Sequence, residues 1–214
     1  MYRQTYRFRL SGIAPISFSR AIQSARDPKQ ETFEEHDKRT WREHLHVDRN
    51  GHIYIPAMAL KNLLTDIAMY RSDRVPGKRM ATFTKHFESA VIVAKNLTFD
   101  PPINASDVEV ERLFLPSDCK RGGGSRVWKH YPVIPAGWIA EGEVEAFDPV
   151  ISPEITKEYL EHAGLMIGLG RWRARRGGAY GRFEVLEFNT LKGRDLASEA
   201  EKTTAEAEDR RFEA

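Results

Sequence analysis

LMIGLGRWRARRGGAYGRFEV, residues 165–185, is the stretch on which the fold reading turns. It holds five glycines and five arginines; helix-spaced apolar residues precede it and an aromatic, strand-like run follows. The order is therefore helix, glycine-arginine loop, strand. Glycine lets a backbone take positive φ and approach another molecule closely, and arginine offers a planar fork of donors that matches phosphate. Arg171, Arg173, Arg175, Arg176 and Arg182 have no acidic residue among them in the sequence. Like charges at this density repel one another unless an anion lies nearby, which points to nucleic acid or another phosphate-rich partner. The loop's peptide N–H groups and guanidinium groups are expected to line one groove, with Gly168 and Gly170 allowing close approach. Taken singly, the same glycines also serve as a helix stop and a turn into a strand. Gly168-Leu169-Gly170 follows a helix, whereas a nucleotide-binding glycine loop follows a strand, so nothing supports a phosphate-loop NTPase or a dinucleotide enzyme.

Upstream of the loop, Ser152 is placed to cap a helix that starts at Pro153, with Ile155, Tyr159, Leu160, Ala163 and Ile167 on one face. Before it, residues 138–147 alternate as a half-buried strand, and downstream residues 180–188 form the last strand. At the other end of the chain, Tyr6, Phe8 and Leu10 alternate with Thr5, Arg7 and Arg9, again the period of a strand with one buried face. An Asn50-Gly51 turn separates two short extended runs, and Pro56 opens a helix over 57–70 with Met58, Leu60, Leu63, Leu64, Ile67 and Ala68 at helical spacing. Residues 87–93 read as a buried strand after a basic loop containing Arg71, Arg74, Lys78, Arg79 and Lys85. Two segments interrupt this plan. Residues 20–46 are charged and expected to be an exposed insertion with some helix. Residues 116–135 carry Lys120, Arg121, three glycines and Arg126, then Trp128, Lys129 and Tyr131, between strand-like flanks. Stripped of both, the order is strand, helix, strand, strand, helix, strand: an α+β, ferredoxin-like antiparallel core shared by RNA-recognition folds.

Composition bounds the function. At 214 residues, 41% hydrophobic and 30% charged, the chain can bury a substantial core. Net charge is only +2, so basicity is local; the acidic segment 197–214 carries six acidic and three basic residues, which leaves residues 1–196 at +5 as one domain with a charged tail. The lone Cys119 cannot form an internal disulfide, and no apolar run suits a membrane span or secretion signal, so a cytoplasmic protein is expected. His36, His44 and His46 lie near Asp27, Glu34, Glu35, Asp37 and Glu43, but no pair has the four-residue spacing of a helical metal site, and no metal or other cofactor is expected.

Ile53-Tyr54-Ile55-Pro56-Ala57-Met58-Ala59-Leu60-Lys61 resembles the hairpin-plus-helix signature of the repeat-associated mysterious protein (RAMP) superfamily of CRISPR systems. Gly168-Leu169-Gly170-Arg171 with Gly177-Gly178-Ala179-Tyr180-Gly181-Arg182-Phe183 resembles that superfamily's glycine-rich loop. The two motifs occur in the expected order, and the resemblance covers roughly residues 1–190. They depart from the usual pattern in Ala57-Met58, where a pair such as Gly-Ser is common, and in the long basic bridge. The resemblance implies a subunit that holds guide RNA and assembles side by side with other copies and other effector-complex subunits, with residues 20–46 and 116–135 as protruding parts. On this reading Lys61, Lys120, Arg121, Arg126, Lys129, Arg171, Arg173, Arg175, Arg176 and Arg182 meet phosphates, and Trp128, Trp172 or Tyr180 stack on bases. Single-stranded DNA is an alternative ligand. So is a different role: an endoribonuclease using His36, His44 or His46, with Asp27 or Asp37 in a target-cutting arrangement, or a protein-interaction or mobile-element protein outside a standard effector complex.

Overall fold

Alternation in the first strand sets the layers of the molecule. In the computed structural model, which describes residues 2–116 and 125–191, β1 (Gln4–Gly12) buries Tyr6, Phe8 and Leu10 completely or nearly so. The elements that follow in chain order are β2 (Ile16–Ser17), α1 (Phe33–Thr40), β3 (Tyr54–Ile55), α2 (Ala57–Arg71), α3 (Phe83–Ala90), β4 (Val91–Ile92) and β5 (Leu97–Phe99). Then come β6 (Glu109–Pro116), β7 (Arg126–Ile134), β8 (Ile139–Ala146), α4 (Pro153–Met166) and β9 (Phe183–Leu191). The principal sheet runs β3-β5-β8-β1-β9, with β4 also on β8. Every pairing is antiparallel. Because β1 and β5 both run antiparallel to β8, they are parallel to each other with β8 between them, which is the split βαβ arrangement of the ferredoxin-like fold.

The two long helices pack together over the apolar face of this sheet. α2 buries Leu60, Leu63, Leu64, Ile67 and Ala68; Met58, near its start, is largely exposed instead of joining that stripe. α4 starts as its sequence dictates, with Ser152 Oγ accepting from the Ile155 amide and Pro153 in the first turn. It buries Tyr159, Leu160 and Ala163, and Ile167 beyond its end. The opposite sheet face is polar. Arg3, Arg7 and Arg9 pair across strands with Glu145, Glu143 and Glu141, and Arg9 also reaches Asp100 and Glu187.

Two regions differ from the sequence reading. Residues 87–93 are not one strand: Phe83 and Phe87, four apart, are the buried face of α3, and only Val91–Ile92 continue as strand. The segment 20–46 is not wholly exposed either. β2, β7 and β6 form a second sheet, and α1 with the following turn packs on β7, burying Trp41, His44 and Leu45. Glu43 ties the segment's start to that turn, accepting from Ser24 Oγ, the Ser24 amide and the Gln23 amide. Those bonds to its charged form, the Ser24 hydroxyl's first, pull its carboxyl down to about 2.

Candidate nucleic-acid interface

The glycine-arginine loop sits where the two sheets meet, and its backbone is turned inward. Gly168, Gly170, Gly177 and Gly181 all have positive φ, between 72° and 77°. The Leu169 amide donates to Gly181 O (2.9 Å), Gly181 N to Pro15 O (2.7 Å) and Arg171 N to Ser17 O (2.7 Å), while Ile13 N and Ala14 N donate to Arg182 O. Arg175, Arg176, Gly177 and Gly178 amides are likewise bonded to carbonyls of Ile167, Arg173, Ala174 and Arg173. Contrary to the expectation that they face an anion, these amides brace the loop. Gly178 and Gly181 are there for close packing: a Cβ on either would stand 1.6 or 1.7 Å from the carbonyl oxygen of Trp172 or Leu169. What the loop presents outward is therefore side chains.

The arginines fall into three environments. Arg171 is stacked over the Tyr131 ring at 3.3 Å, with Trp172 at 5.2 Å, and its Nη1 is buried without a hydrogen-bond partner among the described residues. Tyr131 in turn stacks on His44 at 4.9 Å, so Arg171 bolts the loop to β7 and the 20–46 segment. Arg173 and Arg175 share the carboxylate of Asp66 on α2, Arg173 at 3.2 Å. Arg176 and Arg182 are exposed and form no ion pair among the described residues. Trp172 has φ +52°, rare for a bulky side chain, which the bonded loop around it enforces. The residue is 39% exposed, and its ring stacks on Tyr180 at 6.3 Å. The Tyr180 hydroxyl donates to Glu111 on β6, and burial, with that carboxylate, pushes the phenol up to about 12, so it remains a donor.

Alternation along the β6–β7 ribbon separates the rest. Glu111 pairs with Tyr131 on the face toward the loop, and Lys129, half-buried opposite Leu113, shares that face. Trp128 pairs with Phe114 and Arg126 with Pro116 on the other face, where Arg112 lies 4.0 Å over the Trp128 ring and Arg126 is exposed. Trp128 and Arg126 thus do not join the loop in one groove. Lys120 and Arg121 lie outside the described residues, as do Cys119 and the segment 197–214.

Lys61 is engaged within the fold. Its ammonium donates to the carbonyls of Phe87, Glu88 (2.8 Å) and Val91 (2.7 Å), capping the C-terminus of α3, and burial lowers its pKa. Three carbonyls lose their donor in Lys61→Met, so thermal denaturation should show a loss of about 2–3 kcal/mol. In the basic segment after α2, Arg71 is held by Asp73, Glu158 and His162, while Arg74, Lys78, Arg79 and Lys85 are exposed. The candidate histidines face inward: His36 meets Ser24 O at 2.9 Å, His44 meets Arg20 O at 2.7 Å, and His46 tilts against Tyr54. Asp37 accepts from the His130 amide, and Asp27 caps a turn at Lys29. Among the described residues no three His, Cys, Asp or Glu side chains are grouped to hold a metal, and no helix is long and apolar enough to cross a membrane.

Asp66, Glu111 and Tyr131 shape the loop's chemistry, yet nothing in the sequence pattern links them to it. Asp66 stands 107 residues from Arg173, and only the packing of α2 against α4 brings it there.

No protein-family model and no curated protein matches the sequence. Among solved structures, a chain of the Type III-B Cmr-beta bound to cognate target RNA, determined by cryo-EM, matches with a TM-score of 0.52 at 13% identity. The match covers 89% of this chain, which spans 61% of that one. Cmr6 from Pyrococcus furiosus matches with a TM-score of 0.47 at 12% identity, over 86% of this chain and 99% of that one. The Cmr-beta chain agrees in fold with the resemblance carried by the two sequence motifs.

Proposed function

We propose that this chain is a divergent RAMP-superfamily subunit that holds RNA in a CRISPR-type ribonucleoprotein, with guide RNA as its ligand and neighbouring subunits, including other copies, along the same strand. The observation that carries the proposal is the outward side of the braced loop: Arg176 and Arg182, exposed and without ion pairs among the described residues, beside the half-exposed Trp172–Tyr180 stack. Unpaired cations next to a stackable ring suit single-stranded nucleic acid, whose backbone supplies charge and whose bases supply faces. The likeness to a Cmr-beta chain, whose complex binds target RNA, supports the same reading at the level of fold. The sheet's polar face offers no such excess of positive charge, because each of Arg3, Arg7 and Arg9 is matched by at least one carboxylate.

The test is purification at low salt without nuclease, followed by sequencing of the nucleic acid that accompanies the protein. Discrete guide-like RNAs with regularly repeated protection are expected. For added single-stranded RNA, log K should fall with log salt at a slope of roughly −2, about 0.7 for each of some three phosphates held. Recovery of single-stranded DNA alone would replace RNA as the ligand. Clean protein that binds neither nucleic acid would overturn the proposal in favour of a protein partner.

A further inference from the structure

The fork made by Arg173 and Arg175 already holds an anion. Asp66 directs Oδ2 to Nη2 of Arg173 at 3.2 Å and Oδ1 to Nη1 of Arg175, so one carboxylate bridges two guanidinium groups. Two oxygens shared between two forks is also the way a phosphate's unesterified oxygens bind arginines. One negative charge leaves the cluster with an excess of one positive charge. We propose that this fork is a phosphate site occupied in the free protein by an internal anion, Asp66, which a backbone phosphate displaces when RNA binds; the inference rests on the RNA-binding reading above.

Three features of the site support it. Asp66 and Arg173 side chains are 20% and 19% exposed but Arg175 is 37% exposed, so the fork opens to solvent on the Arg175 side. At the Arg175 half, the more exposed one, an ion pair contributes little stability, so exchange of one anion for another there costs little. Asp is also a poor helix former in the middle of a helix, and its neighbours on α2, Leu63, Leu64 and Ile67, are buried core; Asp66 is the position where that helix meets the loop. Arg176 and Arg182 remain free to make the first encounter, and the fork engages once a phosphate outcompetes the carboxylate.

Asp66→Asn keeps shape and removes charge. Binding of a labelled oligouridylate should tighten roughly tenfold at moderate salt, and the slope of log K against log salt should steepen by up to about 0.7, because no displaced carboxylate recaptures a counterion. A merely structural Asp66 gives the opposite result, weaker binding with an unchanged slope. Adding Arg175→Gln to Asp66→Asn should abolish the improvement, since the freed charge is then absent. If Asp66→Asn fails to fold, single variants decide. Arg175→Gln should cost less than about threefold in affinity because Asp66 already masks that charge, whereas Arg176→Gln costs more; equal losses would overturn the inference. Unmodified protein that binds oligouridylate while Asp66→Asn matches it in affinity and slope would sink the internal-anion idea and leave the RNA reading standing. Failure of both proteins to bind would end both.

Discussion

Gly181→Ala should destabilise the protein by about 3–5 kcal/mol and, with the loop displaced, remove most of the RNA binding proposed above. Gly181 has φ +72°, and an added Cβ would lie 1.7 Å from Leu169 O and 2.8 Å from Leu169 N. Neither atom can retreat, because Leu169 N is bonded to Gly181 O and Gly181 N to Pro15 O. The loop must therefore lift away from the segment that enters β2, carrying Trp172 and Arg182 with it. Gly177→Ala is the matched comparison. Its φ is +75° but nothing lies within 4 Å of its Cβ position, so only the conformational cost of about 1 kcal/mol remains. Thermal melts of the two variants should differ by on the order of 10 °C. Equal melting temperatures would mean that the loop is not braced by these contacts and that its glycines serve ligand approach instead.

That contrast also shows where reading the sequence succeeds. Period-two alternation in β1 and the Ser152-Pro153 cap of α4 are local signals, enforced by burial and by orphan amides within a few residues, and both correspond to what the fold contains. The ferredoxin-like order follows from them. Residues 87–93 mislead because a short apolar run fits a buried strand as well as a helix; the four-residue spacing of Phe83 and Phe87 is the signal that separates the two. For the candidate site, the sequence displays the five arginines but not their partners. Whether a guanidinium is free depends on Asp66, Tyr131 and the carbonyls around it, all supplied by other elements. Lys61 is the clearest case: its motif position suggests a phosphate contact, while its ammonium is surrounded by the carbonyls at the end of α3.

Charge reversal at Arg176 and Arg182 together should weaken RNA binding roughly a hundredfold at low salt and flatten the salt slope by about 1.4, two phosphates at about 0.7 each. Both side chains are exposed and make no ion pair among the described residues, so the double glutamate variant should keep its stability within about 0.5 kcal/mol of the unmodified chain. This separates binding from folding. The same reversal at Arg173 and Arg175 cannot do so, because it sets two new carboxylates against Asp66 and breaks the contact between the loop and α2. A loss of affinity there would follow from either cause. Equilibrium binding across a salt series, with a melt on each sample, is the measurement. If the Arg176 and Arg182 variant binds RNA with unaltered affinity and slope, the exposed edge of the loop is not the contact surface. The exposed Arg126 and the Trp128–Phe114 pair, on the far face of the β6–β7 ribbon, would then be the next cations and rings to test.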